Sequence, residues 1–587
     1  MKLPMLSVPK RRAETVTVFG GYDVRDRRGA KGFCEEENIS SAAYPALAPR
    51  PPRGTVDTAL GETDSVAAIS AGKRLCYVHD RYFIIDDNPA YSSGSETHTR
   101  VVDLGLQGTQ DTRIVMMGSY AVVFPDRKYV CLNDLTDKGS IDAEKTAASA
   151  LICPCPLGEP NAVIVISATA PKTDCDYWLD TSGERDALKF KSGDEWQELQ
   201  AAGIRITVGG SVPFSEGDGI SITAESSLCG GMLPSSAVIA SVGSGTVVIP
   251  GSIDRHAKGA AVVLSRKMPK CDFVFECGNR LWGCRSGADN SGRQVNSIYA
   301  SALGNFRNWN VFEGLSTDSY ALTVGSGGDF TGAAEYMGYP HFFTEGAIHK
   351  VYGEYPSLFS LRTLTCPGVQ KGCGDSLAAA GGVLYYKSRR GIYAYDGSLP
   401  TFIGDALGGM AYDNAVGGGL GERYYVSMRD TGGRYSLFVY DSRKRLWHRE
   451  DSTAVRQFAA VEGELYYTER DRKTVIRSVG GSGIPDSEPV RWYAVSGAIS
   501  GSTGEHSYLS RIILRIDAER GASVGISVRY DSRGEWQELG TVGTEEPRCI
   551  TLPVLPRRCD HLHLRLRGRG YAKVTMLTLI SEQGSIY

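Results

Sequence analysis

The stretch Leu384-Tyr385-Tyr386, followed after a short polar turn by Gly391-Ile392-Tyr393-Ala394-Tyr395-Asp396, decides the fold predicted for this chain. Apolar and aromatic residues fill both segments, and such residues favour β-strands. Two segments of this kind that are joined by a few turn residues are typical of a β-hairpin. The same pattern recurs along the chain, so the hairpin is predicted to be a repeating unit.

Six further hairpins share this pattern of an apolar or aromatic strand, a polar turn and a second such strand. They pair residues 75–78 with 82–86, 120–124 with 129–131, 273–275 with 280–284, 341–343 with 348–352, 424–427 with 436–441, and 465–467 with 475–477. The last three hairpins of the chain start about 40 residues apart, which is typical of four-stranded propeller blades. The repeat predicts an all-β protein, a β-propeller of about seven blades. Unrelated hairpins in two β-sandwiches are the alternative.

The spacing of the hairpins also predicts domains. The interval between the second and third hairpins is too long for one blade and contains segments that alternate with period two, which indicates an inserted small β-barrel or sandwich. Residues 143–150 are expected to form a short helix within it, and the Gly-rich residues 480–485 a linker. The predicted domains are an N-terminal arm (1–44), the first propeller blades (45–139), the inserted β-rich domain (140–268), further blades (269–484) and a C-terminal β-sandwich (485–587).

Composition limits the possible functions. The chain has 64 Lys and Arg against 67 Asp and Glu, a formal net charge of −3, which excludes a protein whose whole surface coats nucleic acid. Hydrophobic residues make up 42% of the chain, which excludes global disorder. The sequence contains no apolar run of about 18 residues that would span a bilayer. It also lacks the pattern of a secretory signal, so folding in a cytoplasm is expected.

No motif predicts catalysis. Residues 521–525 have the Gly-x-Ser-x-Gly spelling of a nucleophile elbow, but a β-strand follows where that motif needs a helix. Residues 289–292 lack the acidic ligand that would complete a calcium loop. The 14 cysteines contain no Cys-x-x-Cys pair. We therefore predict that the protein is not an enzyme and has no cofactor or metal site, with pairing or metal binding by some cysteines as the alternative.

One segment is distinctive in its charge. Residues 557–569 read RRCDHLHLRLRGR, and side chains in a strand alternate between two faces. Leu562, Leu564 and Leu566 are therefore predicted to point into the sandwich. The opposite face is predicted to carry a basic contact stripe of Arg557, Arg558, His561, His563, Arg565, Arg567 and Arg569. This stripe would meet DNA phosphates or an acidic partner; the alternative is a solvated strand face whose charges prevent edge pairing.

Several stretches of the sequence resemble one family. They are residues 38–41, 44–50, 280–284, 298–304, 308–309, 312–315, 318–320, 338–343, 368–373 and 559–561. These stretches are similar to those of tail-associated β-propeller structural proteins encoded by phages and prophages of gut bacteria. In architecture the family resembles the tail nozzle and packaged-DNA stabilisation proteins of short-tailed phages. The resemblance extends over most of the chain.

The resemblance implies a non-enzymatic virion protein of the phage tail that is folded and assembled in the bacterial host cytoplasm. Such proteins form rings, commonly sixfold, that close the DNA channel and dock to the portal, the adaptor, other tail proteins or tail fibres. Transient contact with viral DNA is implied, and membrane insertion is not. Two alternatives remain: a tail-tip or neck protein of a long-tailed phage, and a glycan-binding or glycan-cleaving propeller. The second is motivated by 30 Tyr and 7 Trp, which offer surfaces for sugar stacking.

Overall fold

The computed structural model describes the 587-residue chain except for short segments. These are residues 1–10, 26–28, 57–65, 71, 91–97, 173–174, 200–201, 289–293, 310–317, 326, 471–474, 501–506, 533, 544–547, 556, 558 and 584–587. The chain divides into two compact units, one made of residues 1–114, 343–348 and 365–587 and the other of residues 115–342 and 349–364. No helix in the described part of the chain is long and apolar enough to cross a bilayer.

Seven sheets in the described residues share one design, in which strands that follow one another in the chain lie side by side. We call them sheets 1 to 7, and sheet 7 also includes one strand from upstream in the chain. Sheet 1 contains Val66–Ser70, Leu75–His79, Tyr82–Asp86 and Thr99–Asp103; sheet 2 contains Arg113–Met117, Tyr120–Phe124, Lys128–Cys131 and Lys138–Ser140; sheet 3 contains Phe273–Glu276, Leu281–Ala288, Gln294–Ala300 and Tyr320–Val324; sheet 4 contains Gly332–Tyr336, Tyr339–Phe343, Ala347–Tyr352 and Ser360–Thr365. Sheet 5 contains Ala378–Ala380, Val383–Ser388, Gly391–Tyr395 and Thr401–Phe402; sheet 6 contains Tyr412–Leu420, Arg423–Asp430, Tyr435–Asp441 and Leu446–Asp451; sheet 7 contains Val455–Val461, Glu464–Glu469, Ile476–Ser478, Gly54–Thr55 and Ile484–Pro485.

Each of the seven predicted hairpins corresponds to two neighbouring strands in one of these sheets. In sheet 5, for example, Leu384 lies opposite Tyr395 and Tyr386 lies opposite Tyr393. Helical structure in the described residues is confined to short 3-10 turns at Ser41–Ala43, Leu228–Gly231, Pro356–Leu358, Gly374–Ser376 and Gly404–Leu407. The prediction of an all-β protein is confirmed.

Sheet 7 is completed by a strand from far upstream in the chain. Thr55 lies opposite Arg477, and Gly54 lies opposite both Ser478 and Pro485. A side chain at residue 54 would overlap the Ser482 carbonyl oxygen, so the close approach requires glycine there. Part of the predicted linker at residues 480–485 is therefore a strand in this sheet.

Neighbouring sheets in the first unit share apolar cores. Ile69 and Tyr77 of sheet 1 pack with Ala459 and Tyr466 of sheet 7. The other face of sheet 7 packs against sheet 6 in a second core that contains Val416, Tyr425, Val455 and Leu465. Sheet 7 is thus buried on both faces by its neighbours, because a single two-sided sheet cannot cover both its faces.

The inserted region consists of two sheets in the second unit. The larger contains, in spatial order, Ser236–Val238, Gly219–Ala224, Ala257–Arg266, Ala143–Pro156, Ala202–Thr207, Thr246–Pro250 and Ser241–Gly243, and the smaller contains Ile164–Ser167, Tyr177–Asp180, Ala187–Ser192 and Glu195–Glu198. The predicted helix at residues 143–150 is wrong, because this segment begins the strand Ala143–Pro156. Residues 143–150 pair with Ala257–Arg266, and Ala147 and Ala150 are buried in a shared core, so tertiary pairing outweighs the helix propensity of alanine.

The C-terminal region forms two further sheets around one core. One contains Arg11–Val16, Ala572–Gln583, Ser507–Ala518 and Arg548–Pro553; the other contains Phe33–Glu37, Arg491–Ser496, His561–Arg569, Ser523–Tyr530 and Gln537–Val542, with Ile499–Ser500 paired to its third strand. Trp492, Ile512 and Leu564 lie in the shared core. Within residues 1–44, predicted as an N-terminal arm, two segments each supply an edge strand to one of these sheets, and Val16 and Phe33 are buried in this core. A small sheet of Ile39–Ser40 and Ala48–Pro49 follows these strands.

Candidate functional site

The strand His561–Arg569 lies in the middle of the second C-terminal sheet, between Arg491–Ser496 and Ser523–Tyr530. Leu562, Leu564 and Leu566 are buried in the core that this sheet shares with the other one. The predicted alternation along this strand is therefore confirmed, and the remaining side chains of the strand face away from the core.

The two histidines of the predicted stripe are engaged within the protein. The His563 side chain is buried, with Nδ1 3.0 Å from the Ser496 carbonyl oxygen and Nε2 3.0 Å from the Ser532 hydroxyl. His561 has Nε2 2.6 Å from the same hydroxyl and Nδ1 3.0 Å from the Asp560 carboxylate. These rings hold the Ser532 turn in place, and they offer little surface to a partner.

The two ends of the stripe differ. Arg557 precedes the strand, with its guanidinium carbon 5.1 Å from the centre of the Tyr530 ring. Arg558 lies outside the described residues, as do residues 289–292, where a calcium loop was considered. Arg567 and Arg569 are exposed on the strand itself, and Arg565 is half-buried. The structure therefore reduces the stripe within the strand to three arginines.

Two arginines on neighbouring strands extend this group. Arg491 lies directly opposite Arg569, and Arg529 lies opposite His563. We call Arg491, Arg529, Arg565, Arg567 and Arg569 the arginine face. Arg491 and Arg529 could not be assigned to this group from the sequence pattern of the stripe, because they are distant from it in the chain. Each lies between two apolar residues, in Val490-Arg491-Trp492 and Val528-Arg529-Tyr530, and this alternation indicates an outward-facing position in a strand.

The arginine face has little compensating charge. Within the described residues, none of its five guanidinium groups lies within 4.0 Å of a carboxylate oxygen. Burial lowers the pKa of Arg565, and the neighbouring Arg567 and Arg529 lower it further, while Glu35 and Glu538 act in the opposite sense. Arg529 and Arg565 instead contact the Trp536 ring, with guanidinium carbons 4.7 Å and 4.4 Å from its centre.

Replacing Arg569 by glutamine is expected to raise the free energy of unfolding by about 0.2–1 kcal/mol, because like charges directly opposite each other in a sheet are destabilising. Urea denaturation at low salt measures the change. Arg81→Gln is the control, since the Arg81 guanidinium lies 2.6 Å from Asp103 and should lose a little stability. A loss of stability in Arg569→Gln would show that this arginine is held by attractive contacts.

A second candidate site is a cavity of about 390 Å³ where sheets 6 and 7 meet residues 50–53. Its lining residues are Arg50, Arg53, Asp451, Ser452, Thr453, Ala454, Tyr467, Glu469, Arg477 and Asp486. Arg53 is the centre of the charged cluster on its wall. The Arg53 guanidinium lies 2.9 Å from the Glu450 carboxylate and 2.8 Å from that of Asp451, and it donates hydrogen bonds to Thr453 and Tyr467.

The charges of this cluster stabilise one another. Burial alone lowers the pKa of Arg53, but Asp451, Tyr467 and Glu450 outweigh it and hold the pKa well above its ordinary value. Burial raises the pKa of Asp451, and Arg53 with Arg50 outweighs that effect and holds it below its ordinary value. Both groups are therefore charged in the folded protein.

The cavity offers hydrogen-bonding groups but no exposed aromatic ring. The Tyr467 side chain is only 1% exposed, and the Arg53 guanidinium carbon lies 5.2 Å from the centre of its ring. Sugar rings commonly stack on exposed aromatic faces, and this ring is covered. Among the described residues, no group of three or more His, Cys, Asp or Glu side chains is placed to hold a metal ion.

No family model and no curated protein matches the chain. Three similar solved structures are PorZ, a surface component of the type-IX secretion system of Porphyromonas gingivalis, the Trypanosoma rangeli sialidase and an exo-β-1,3-galactanase from Phanerochaete chrysosporium. PorZ is 10% identical, with 88% of this chain and 81% of that chain covered and a TM-score of 0.25. The sialidase is 9% identical, with 97% and 96% covered and a TM-score of 0.23. The galactanase is 11% identical, with 52% and 94% covered and a TM-score of 0.20. These values are too low to assign a family or a function.

Proposed function

We propose that this protein is a non-enzymatic structural component of a phage tail. In this proposal sheets 1 to 7 are the blades of a β-propeller, and the two C-terminal sheets form a β-sandwich. The resemblance of residues 280–284, 298–304 and 338–343 to tail-associated propeller proteins supports the location in the virion. Copies of the chain would form a ring that docks to portal, adaptor or other tail proteins around the DNA channel.

The observation that supports the proposal is the pairing of strands from early in the chain with sheets formed by its later part. Gly54–Thr55 completes sheet 7, while Arg11–Val16 and Phe33–Glu37 are edge strands of the two C-terminal sheets. Each of these sheets can separate only if hydrogen bonds between distant parts of the chain break together. Such a design resists local unfolding, which suits a part that carries mechanical load at the end of a channel.

Purified phage particles test the proposal. Mass spectrometry of gradient-purified particles should find this chain at a fixed number of copies per particle, and cryo-electron microscopy should place it in the tail as a ring. Particles that lack the chain, or that carry it only in the capsid shell, would overturn the proposal. Removal of the gene should yield particles that fail to retain DNA.

A glycan-binding role is the second candidate, and it is supported by the hydrogen-bonding groups of the cavity beside Arg53, not by an aromatic stacking surface. Its volume of about 390 Å³ lies within the usual range of ligand pockets, and its lining is mostly polar. A glycan array with the purified chain tests this role. Binding at micromolar affinity that is abolished by Asp486→Asn and unchanged by Asp430→Asn, a carboxylate outside the cavity, would support it. Absence of binding to every glycan on the array would remove this role.

A further inference from the structure

We infer that the arginine face binds the phosphodiester backbone of nucleic acid without reading base sequence. The face lies on the side of the second C-terminal sheet that points away from the core. Arg565, Arg567 and Arg569 follow one another on one strand, and Arg491 and Arg529 lie on the strands to either side. The inference concerns the partner of this surface alone, and it stands whether or not the protein is a tail component.

The spacing of the arginines suits a linear polyanion. Alternate residues of a strand are about 6.8 Å apart on one face, and adjacent strands are about 4.8 Å apart. The backbone positions of Arg565, Arg567 and Arg569 therefore follow one another at a regular interval along the strand, with Arg491 and Arg529 on the strands beside it. Nucleic acid presents phosphates at a fixed interval along its backbone, so several contacts can form at once.

The positive charges of the arginine face lower the stability of the sheet when no ligand is bound. Arg491 and Arg569 are exposed and directly opposite, an arrangement that destabilises a sheet in the absence of a ligand. Such a pair is expected where an external anion neutralises it. The acidic side chains Glu35, Glu37 and Glu538 lie on the two outer strands of the same sheet, and Glu37 already contacts Arg449 at 3.4 Å. The three central strands of this sheet contain arginine and no acidic residue, so their net charge is positive.

The residue type also favours phosphate. The strands of this sheet contain arginine and no lysine, and the planar guanidinium can donate two hydrogen bonds to one phosphate. Trp536 contacts the guanidinium groups of Arg529 and Arg565, so these two side chains are held on the sheet with less freedom to lose on binding. A partner of this kind needs no pocket, and the contacts carry no sequence information.

Fluorescence anisotropy with the purified full chain and a short labelled duplex DNA tests the inference. The logarithm of the affinity should fall linearly with the logarithm of the salt concentration, with a slope of about −3 to −5 for this number of phosphate contacts. The double variant Arg567→Gln/Arg569→Gln should bind at least about tenfold more weakly, and its slope should be smaller by about two. Two unrelated duplex sequences should bind equally.

Matched controls separate this surface from general charge. Arg81→Gln/Arg429→Gln removes two arginines that are paired with Asp103 and Asp413, and it should leave the affinity unchanged. Arg567→Lys/Arg569→Lys keeps the charge but loses the paired guanidinium donors, so its affinity should lie between those of the unmodified protein and the glutamine variant. Thermal denaturation of each variant shows whether the fold is intact. Exposed Arg567 and Arg569 make no ion pair among the described residues, so their loss should not unfold the protein.

Each result of these binding measurements either supports or overturns the inference. A duplex affinity that is lost in the Arg567/Arg569 variant and kept in the control supports the inference, and a single-stranded probe shows which form of nucleic acid is preferred. Equal binding of polyglutamate with the same sensitivity to the variants would overturn it in favour of an acidic protein partner. Duplex binding that is absent at about 50 mM salt, or unaffected by the double variant, would also overturn it.

Discussion

Replacing Arg53 by methionine is expected to lower the free energy of unfolding by about 3–5 kcal/mol. Glu450 and Asp451 would lose their nearest guanidinium and keep only that of Arg50, at 3.9 Å and 3.5 Å. The Arg53 side chain is 3% exposed and that of Glu450 is 5% exposed. Methionine fills much of the same volume, so the decrease in the free energy of unfolding measures the lost charge and hydrogen bonds more than lost packing. Urea denaturation followed by tyrosine and tryptophan fluorescence measures it.

The matched control is Arg429→Met in sheet 6. Arg429 lies 2.8 Å from Asp413, but the two side chains are 40% and 49% exposed, so this loss should be much smaller than that of Arg53→Met. Adding Glu450→Gln to Arg53→Met should recover part of the stability, because the carboxylate that has lost the Arg53 guanidinium is then replaced by a neutral amide. A loss below about 1 kcal/mol in Arg53→Met would contradict the assignment of Arg53 as the centre of the cluster.

The same cluster predicts that the stability of the folded protein depends on pH in the acidic range. The pKa of Asp451 is lowered in the folded state, so its carboxylate contributes stability above the ordinary pKa of aspartate, and this contribution is lost as the pH falls through the lowered pKa. In Arg53→Met the pKa of Asp451 is no longer held down to the same extent. Acid denaturation of the variant should therefore begin at a higher pH than that of the unmodified protein.

Replacing Gly568 by alanine is expected to cost about 3 kcal/mol, because the new methyl group would overlap the indole ring of Trp492. Trp492 lies directly opposite Gly568, is 1% exposed and donates a hydrogen bond from Nε1 to the Gly570 carbonyl oxygen. The ring therefore cannot move away without leaving the core or losing this bond. Thermal and urea denaturation both measure the loss.

Gly525→Ala is the control on the adjacent strand of the same sheet. A Cβ at residue 525 would have its nearest neighbour, the Thr541 hydroxyl, at 3.4 Å, which is an ordinary contact. This substitution should leave stability unchanged or raise it slightly. Adding Trp492→Leu to Gly568→Ala should restore part of the loss, since the smaller side chain leaves room for the methyl group. Equal effects of the two glycine substitutions would rule out the overlap as the cause.

The hairpins could be predicted from the sequence because their signals are local. Tyr385 and Tyr386 stand a few residues from the strand with which they pair, and apolar and aromatic residues fill both segments. The completion of sheet 7 by Gly54–Thr55 could not be predicted, because a strand of two residues has no periodicity and its partner is far away in the chain. The helix expected at residues 143–150 failed for a similar reason, since only distant strands show that Ala147 and Ala150 face a core.

The candidate sites were predictable to different degrees. The alternation of leucine and arginine along His561–Arg569 gave the correct inward and outward faces, whereas the contribution of Arg491 and Arg529 depends on strand order. The burial of His563 could not be predicted from the sequence, because its Ser496 and Ser532 partners lie on other segments. The cluster around Arg53 was missed entirely, because its members come from separate segments and only folding brings their charges together.

The completion of sheet 7 by an upstream strand also sets a limit on folding during synthesis. Arg53 and Tyr467, which are hydrogen-bonded to each other, are 414 residues apart. A ribosome adds about 5–20 residues per second, so the upstream strand waits about 20–80 s before its partner emerges. During that interval its backbone groups are open to other strands, and a chaperone that shields this segment in the nascent chain would raise the yield of correctly closed protein.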